Sequence, residues 1–210
     1  MNAGNFAVGK TPFLGLPLIT GRVFNDERGF FIESWNAGAM RSLGIGAAFV
    51  QDNHSCSRRG VVRGLHWQGP PAAQGKLIRC THGTILDVVA DIRDGSPTYG
   101  RHECVQLSAA LPGEDVFTMV FIPPGFAHGF EALSDFAEVQ YKCTAIYSPA
   151  GESGIRWDDP DVRVEWPVKV PLLSKRDMQL PTLREWLIRQ EAEGLHTGTT
   201  AGLTGRPDAV

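Results

Sequence analysis

Fold class turns on the stretch Gly60-Val-Val-Arg63-Gly64-Leu65-His66-Trp67-Gln68. It is a β-branched and aromatic run of strand length that carries an arginine, a histidine and a glutamine. Such groups are costly to bury unless something pairs with them. Strict alternation puts Val62, Gly64, His66 and Gln68 on one face, and Arg63, Leu65 and Trp67 on the other. For Arg63 and His66 to share a pocket, the strand must be bulged or twisted between them. A lone strand histidine is more often a satisfied structural one, so its company decides its meaning.

The same texture continues on both sides. Short apolar runs at 30–35, 49–54, 61–68, 76–81, 84–92, 102–107, 117–122 and 138–143 are rich in β-branched and aromatic residues. Turn signals bound them, among them His82-Gly83, Asp94-Gly95 and Pro123-Pro124-Gly125. No long 3.6-residue period runs between Gly60 and Pro149. Many short strands at this spacing predict an all-β antiparallel sandwich or barrel, with a jelly roll among the options. One helix is expected late in the chain. There Thr182 and Glu185 form a capping box behind Pro181, and Leu183, Trp186 and Leu187 make an apolar stripe. The expected domain covers residues 1–193. Beyond it the composition turns to Gly, Thr, Ala and Pro, and the tail 194–210 is expected to be disordered.

Composition narrows the function classes. The 210 residues carry 20 basic and 23 acidic side chains, a net charge of −3, with no long run of either sign. That argues against a nucleic-acid or membrane-surface protein working through bulk charge, while a local basic pocket for a small anion stays allowed. No window approaches eighteen apolar residues, and Pro12 and Pro17 interrupt the N-terminal stretch, so neither a span nor a signal peptide is expected. Four spread cysteines without a Cys-x-x-Cys pair read as reduced thiols in a cytoplasmic protein.

The company of His66 is polar. It comprises Gln51-Asp-Asn53-His54, Gln74-Gly-Lys76 and Pro123-Pro-Gly125-Phe-Ala-His128-Gly-Phe130, followed by the polar strand Glu138-Val-Gln-Tyr141-Lys142, and it shifts the balance toward function. A metal is the first possibility. Jelly-roll metal proteins of the cupin type use Gly-x5-His-x-His-x(3,4)-Glu and Pro-x-Gly-x2-His-x3-Asn. Gly60 to His66 and Pro123-x-Gly125-x2-His128 fit those spacings. However, Gln68 replaces the second histidine, Ala72 and Ala73 stand where the glutamate belongs, and Ala132 replaces the last polar residue. Two histidines without a carboxylate make a poor zinc or iron site, so no metal is expected.

Taken in order, these segments resemble the dTDP-4-dehydrorhamnose 3,5-epimerase family, cupin-fold enzymes of nucleotide-sugar biosynthesis. The resemblance rests on Asp26-Glu-Arg28-Gly-Phe-Phe-Ile-Glu33, Val50-Gln51-Asp-Asn53-His-Ser55, Arg63-Gly-Leu-His66-Trp-Gln68, Gln74-Gly-Lys76-Leu77 and Asp91-Ile-Arg93-Asp-Gly-Ser96-Pro-Thr98. It continues through Ile122 to Phe130, Tyr141-Lys-Cys-Thr144, Tyr147-Ser-Pro149, Ile155-Arg-Trp-Asp-Asp159-Pro160 and Leu173-Ser174. Each piece alone is weak. The collinear set, from about Val23 to Pro181, is specific.

The resemblance implies a cupin-type jelly roll and a substrate like dTDP-4-dehydro-6-deoxyglucose. The ketone at C4 of that sugar acidifies C3–H and C5–H, so no cofactor is implied. His66 matches the family's base, with an ordinary pKa of about 6.5 suited to proton abstraction. Asp177 matches its dyad carboxylate, Tyr141 the acid, and Lys76 the cation that holds the enolate oxygen. Tyr147 matches the aromatic that stacks on thymine. Arg28, Glu33, Gln51, Asn53, Arg63, His128 and Glu152 match other nucleotide-sugar contacts. Family members are homodimers whose N-terminal strands reach into the neighbour, so Arg28 and Glu33 are expected to serve the second copy.

Two departures stand out within the matched segments. Arg176 precedes Asp177 where the family often has lysine, turning an ammonium contact into a guanidinium one. Trp67 replaces a tyrosine, a packing change. Three alternatives stay open: an epimerase of a single centre, C3 or C5; a silent cupin that only binds sugar nucleotides; and a metal-dependent cupin. Retention of His66, Tyr141, Lys76 and Asp177 together speaks against the silent binder.

Overall fold

The computed structural model describes residues 1–192. Its strands are β1 (Asn2–Ala3), β2 (Phe6–Lys10), β3 (Pro17–Asp26), β4 (Gly29–Ile32), β5 (Gln51–Arg58), β6 (Val62–Gln68) and β7 (Lys76–His82). They continue with β8 (Thr84–Asp91), β9 (His102–Ser108), β10 (Val116–Ile122), β11 (Phe126–Ala132), β12 (Phe136–Cys143) and β13 (Glu152–Gly154). Two helices, α1 (Ala37–Ser42) and α2 (Leu183–Ala192), and a 3₁₀ turn at Asp177–Gln179 complete the described elements. One sheet runs β1-β2-β3-β10-β7-β12-β5, with β4 pairing only β3; the other runs β13-β6-β11-β8-β9. Every ladder between these strands is antiparallel. The all-β fold expected from the strand spacing is therefore present, in the two-sheet form of a jelly roll.

The core lies where the inner faces meet. Ile78, Cys80, Ile85, Val89, Leu107, Val120, Ile122, Phe126, Phe130 and Val139 form its cluster. A second cluster covers the outer face of the smaller sheet. In it Val62, Leu65, Trp67 and Val88 pack against Ile155, Trp166, Leu183 and Leu187 from the C-terminal segment. The expected capping box is made: Glu185 Oε2 accepts from Thr182 N at 2.8 Å, and Thr182 Oγ1 accepts from Glu185 N at 3.2 Å. Trp67 meets Trp186 of α2 edge to face, with centroids 5.0 Å apart, which is the packing role expected of it.

Several elements depart from the sequence expectation. The strand expected at 30–35 stops at Ile32, and the strand expected at 49–54 begins at Gln51 and runs on to Arg58. β2, β3, β11 and α1 lie outside the expected segments. α1 is six residues long, too short to show a period, and is fixed by its N-cap Asn36, whose Oδ1 accepts from Ala39 N at 3.0 Å. β11 shows no alternation because it is central in its sheet and buried on both faces along its whole length. The tail expectation, at 194–210, lies outside the described residues.

A bulge in β6 positions the site. His128 of β11 pairs with His66, but Phe130 pairs with Arg63, so Gly64 and Leu65 together oppose Gly129. Gly64 has φ +127°, and a Cβ there would sit 2.6 Å from Gly129 Cα and 2.8 Å from the His128 carbonyl oxygen. The extra residue breaks the alternation, and Arg63 and His66 open onto one cavity.

Candidate active site

The cavity holds about 240 Å³ between the two sheets. His66 enters from β6 and His128 from β11 in the smaller sheet. Tyr141 of β12, Lys76 of β7 and Ser55 of β5 line it from the larger one, and Arg176 and Asp177 border it from the C-terminal segment. A second hollow of about 280 Å³ shares His66, Lys76 and Tyr141 with it and extends past Gln51, Asn53, Gln74, Tyr147 and Glu152. The two form one cleft with His66, Lys76 and Tyr141 at its waist.

His66 Nε2 lies 2.6 Å from Asp177 Oδ1. Asp177 begins the 3₁₀ turn, and its Oδ2 accepts from Ser174 Oγ at 2.7 Å. Burial pushes the Asp177 carboxyl up, but the hydrogen bonds from His66 and Ser174 outweigh it and hold the pKa below the ordinary value. An ionised Asp177 fixes the His66 proton on Nε2, which leaves Nδ1 with a lone pair able to accept a proton.

Tyr141 and Lys76 face this histidine from the other sheet. Burial, reinforced by Cys143 and opposed by Arg63, raises the Tyr141 phenol above its usual value, so it carries its proton at neutral pH. Burial lowers the Lys76 ammonium, with Cys143, Glu152 and Asp87 pulling the other way. Lys76 pairs with Cys143 in the β7–β12 register, two residues beyond Tyr141, which places cation and phenol diagonally on one face of adjacent strands.

The remaining matched residues fall into three groups. Arg63 crosses between the sheets, donating from Nε to Ser57 Oγ at 3.0 Å and from Nη2 to the Cys56 carbonyl at 3.3 Å. Gln51 Nε2 donates to Asn53 Oδ1 at 3.1 Å, and Gln51 Oε1 accepts from the Tyr147 amide at 2.8 Å, tying the β5 row to the Tyr147 loop. Tyr147 Oη and Arg176 Nη1 both donate to Glu152 Oε2, each at 2.5 Å. Burial raises the Glu152 carboxyl, but those donors bring it below its ordinary value.

Arg28 and Glu33 are not brought to the cleft of their own chain. Arg28 pairs with Asp26 at 2.5 Å, and Glu33 accepts from Asn36 at 2.7 Å and Asn5 at 2.9 Å, on or beside the β3–β4 hairpin. Gln68, at the position of a second cupin histidine, spends its side chain on the backbone of Ala72, Ile146 and Ser148. Among the described residues, no three His, Cys, Asp or Glu side chains gather as a metal site.

Sequence reasoning missed Asp87, Ser174 and Ser57. Asp87 is fully buried and accepts from His128 Nε2 at 2.7 Å, forming a second histidine–aspartate pair. Its signal was visible: a lone carboxylate inside the apolar run Thr84-Ile-Leu-Asp87-Val-Val-Ala.

Comparison with known proteins follows the same lines. The family model described as dTDP-4-dehydrorhamnose 3,5-epimerase matches residues 10–185. The dTDP-4-dehydrorhamnose 3,5-epimerase of Escherichia coli strain K12 is 49% identical over 182 residues, covering 86% of this chain and 95% of that protein. The dTDP-6-deoxy-D-glucose-3,5-epimerase of Legionella pneumophila, solved with dTDP-4-keto-L-rhamnose, is 41% identical with a TM-score of 0.78, covering 85% of this chain and 93% of its own. ChmJ, a 3′-monoepimerase from Streptomyces bikiniensis solved with dTDP-quinovose, is 34% identical with a TM-score of 0.74, covering 90% and 93%. With its two-sheet fold and matches spanning most of both lengths, the chain belongs to the dTDP-4-dehydrorhamnose 3,5-epimerase family.

Proposed function

We propose that this protein epimerises dTDP-4-dehydro-6-deoxyglucose at C3 and C5, giving dTDP-4-dehydro-L-rhamnose, without metal or cofactor. One observation carries the mechanism: a histidine base and a tyrosine acid face one cavity from opposite sheets. His66 Nδ1 takes the proton from the carbon beside the ketone, and the C–H electron pair moves onto the C4 oxygen. Lys76 holds the resulting enolate oxygen, where a fixed cation in a water-poor cleft acts most strongly. Tyr141 then gives its phenolic proton to the other face of that carbon, and the imidazolium and phenolate re-equilibrate with solvent. The same cycle at the second carbon completes the reaction.

The nucleotide lies along the second hollow. Tyr147 stacks on thymine beside Gln51, Asn53 and Glu152, while Arg63, Arg176 and His128 contact the sugar and pyrophosphate; planar guanidinium donors suit phosphate oxygens. The working unit is a homodimer of domains spanning residues 1–193. In support, β5 is an unpaired edge of the larger sheet, and the β3–β4 hairpin exposes Phe30 and Phe31 at 42% and 68%. That hairpin also holds Arg28 outside its own cleft, where it and Glu33 serve the second copy. Four free cysteines suit a cytoplasmic enzyme.

ChmJ, named as a 3′-monoepimerase, favours a second reading in which this chain inverts one centre only. Proton NMR of dTDP-4-dehydro-6-deoxyglucose with the protein in D2O, with and without a chelator, separates the cases. Chelator-insensitive deuterium at both C3 and C5 supports the double epimerase, and exchange at one carbon supports the single one. No exchange, with dTDP still bound, overturns both.

A further inference from the structure

Four side chains of β5 point inward in alternation: Gln51, Asn53, Ser55 and Ser57. Three are committed to protein partners. Gln51 holds the Tyr147 amide, Asn53 donates to Cys143 Sγ at 3.4 Å, and Ser57 holds Arg63. Ser55 differs. Its Oγ is buried and has no hydrogen-bond partner among the described residues, and the residue lines the cavity that holds His66, Tyr141 and Lys76.

The chemistry of that wall narrows what Ser55 can bind. Arg63, Lys76 and Arg176 only donate, Asp177 is committed to His66 and Ser174 and Ser174 to Asp177, His128 Nε2 is held by Asp87, and His66 and Tyr141 are the groups assigned to proton transfer. A serine hydroxyl both donates and accepts. A phosphate oxygen has no proton to give and is served by the cations, whereas a sugar hydroxyl needs an acceptor. We propose that Ser55 is a specificity residue of this site, hydrogen-bonding a ring hydroxyl of the hexose and thereby telling a dTDP-hexose from dTDP alone. The assignment rests on the reading of the cleft as a dTDP-sugar site. It adds that a β5 hydroxyl, and not only charged side chains, recognises the sugar. A site built to hydrogen-bond a hydroxyl discriminates strongly against ligands that lack it, because the protein group is otherwise left unpaired.

The test is calorimetric titration of the full-length protein and Ser55→Ala with dTDP and with dTDP-glucose, alongside thermal melts. A hydrogen bond confined to the ligand predicts an unchanged Tm, an unchanged Kd for dTDP, and a Kd for dTDP-glucose raised about five- to tenfold. Equal weakening of both ligands, no weakening of either, or a fall in Tm overturns the proposal, since the hydroxyl would then serve the nucleotide, nothing, or the fold. Deuterium exchange by the wild type, run in parallel, reports separately on the epimerase reading. Absent exchange with the expected Kd pattern would sink the chemistry and leave the Ser55 contact standing.

Discussion

His66 and Asp177 are 111 residues apart in sequence, yet Nε2 of one meets Oδ1 of the other at 2.6 Å. The proposed base therefore comes from a strand of the sandwich and its paired carboxylate from the turn that precedes the last helix. His66→Ala is expected to lower kcat by about 10²–10⁴-fold with dTDP binding retained. Asp177→Asn should cost a similar order, because asparagine cannot stabilise the imidazolium. Both are read from steady-state kinetics beside dTDP titration, and the double variant should be no worse than the poorer single one. Additive losses would show that the two do not act as a unit.

Tyr141 faces His66 from the other sheet, so in the proposed mechanism its removal separates two events. Tyr141→Phe should still let His66 remove and return a proton on one face. Deuterium then appears in the substrate without inversion, observable by NMR in D2O. Normal inversion by this variant would assign the acid to another group.

Lys76 gives a pH signature of opposite signs. Burial lowers its pKa in the fold, so with rising pH it loses its proton before an unfolded lysine does, near 10.4. Between the two values the unfolded chain binds more protons, and the Lys76 contribution to stability rises with pH. Catalysis moves the other way, because the enolate loses its cation. In wild type minus Lys76→Met difference profiles, kcat/KM should fall through the window in which denaturant stability improves.

Gly64→Ala tests the bulge. A side chain at φ +127° would collide with the backbone of Gly129 and His128, so the variant should lose roughly 2–4 kcal/mol of stability by denaturant titration. Activity should fall further than stability explains, because Arg63 and His66 lose their common cavity.

Tyr147 offers a ring and a hydroxyl that can be tested apart. Tyr147→Ala should weaken dTDP binding by about 1–3 kcal/mol if thymine stacks there. Tyr147→Phe keeps the ring and loses only the bond to Glu152, so its dTDP affinity should stay close to wild type.

Much of the sandwich was legible because strands such as β10 are rich in β-branched and aromatic residues between turn signals, and β12 alternates polar with apolar ones. Two of the elements that escaped had no period to show: β11 is buried on both faces, and α1 makes under two turns. At the site, the crowding of Arg63, His66 and Gln68 marked β6, and a shared pocket for Arg63 and His66 called for a bulge or twist between them; the β6–β11 register contains a bulge. Asp177 came only through family resemblance, since nothing in Lys175-Arg176-Asp177 distinguishes it from a solvated charge run. Asp87 and Ser55 escaped for different reasons. Asp87 sits behind the cavity-lining His128, and Ser55 has the same local spacing as its committed neighbours on β5.

The long reach from His66 to Asp177 also makes the site a test of completed synthesis. Synthesis runs from the N-terminus, so a nascent chain has β6 long before it has the 3₁₀ turn, and the domain folds as a unit only once both are present. Until residues 155–187 dock on the outer face of the smaller sheet, where Ile155, Leu183 and Leu187 are sealed, the imidazole has no carboxylate to hold its tautomer. A chain cut or stalled before that point carries the cavity walls with His66 unpaired, and docking of residues 155–187 is what completes the histidine–aspartate pair.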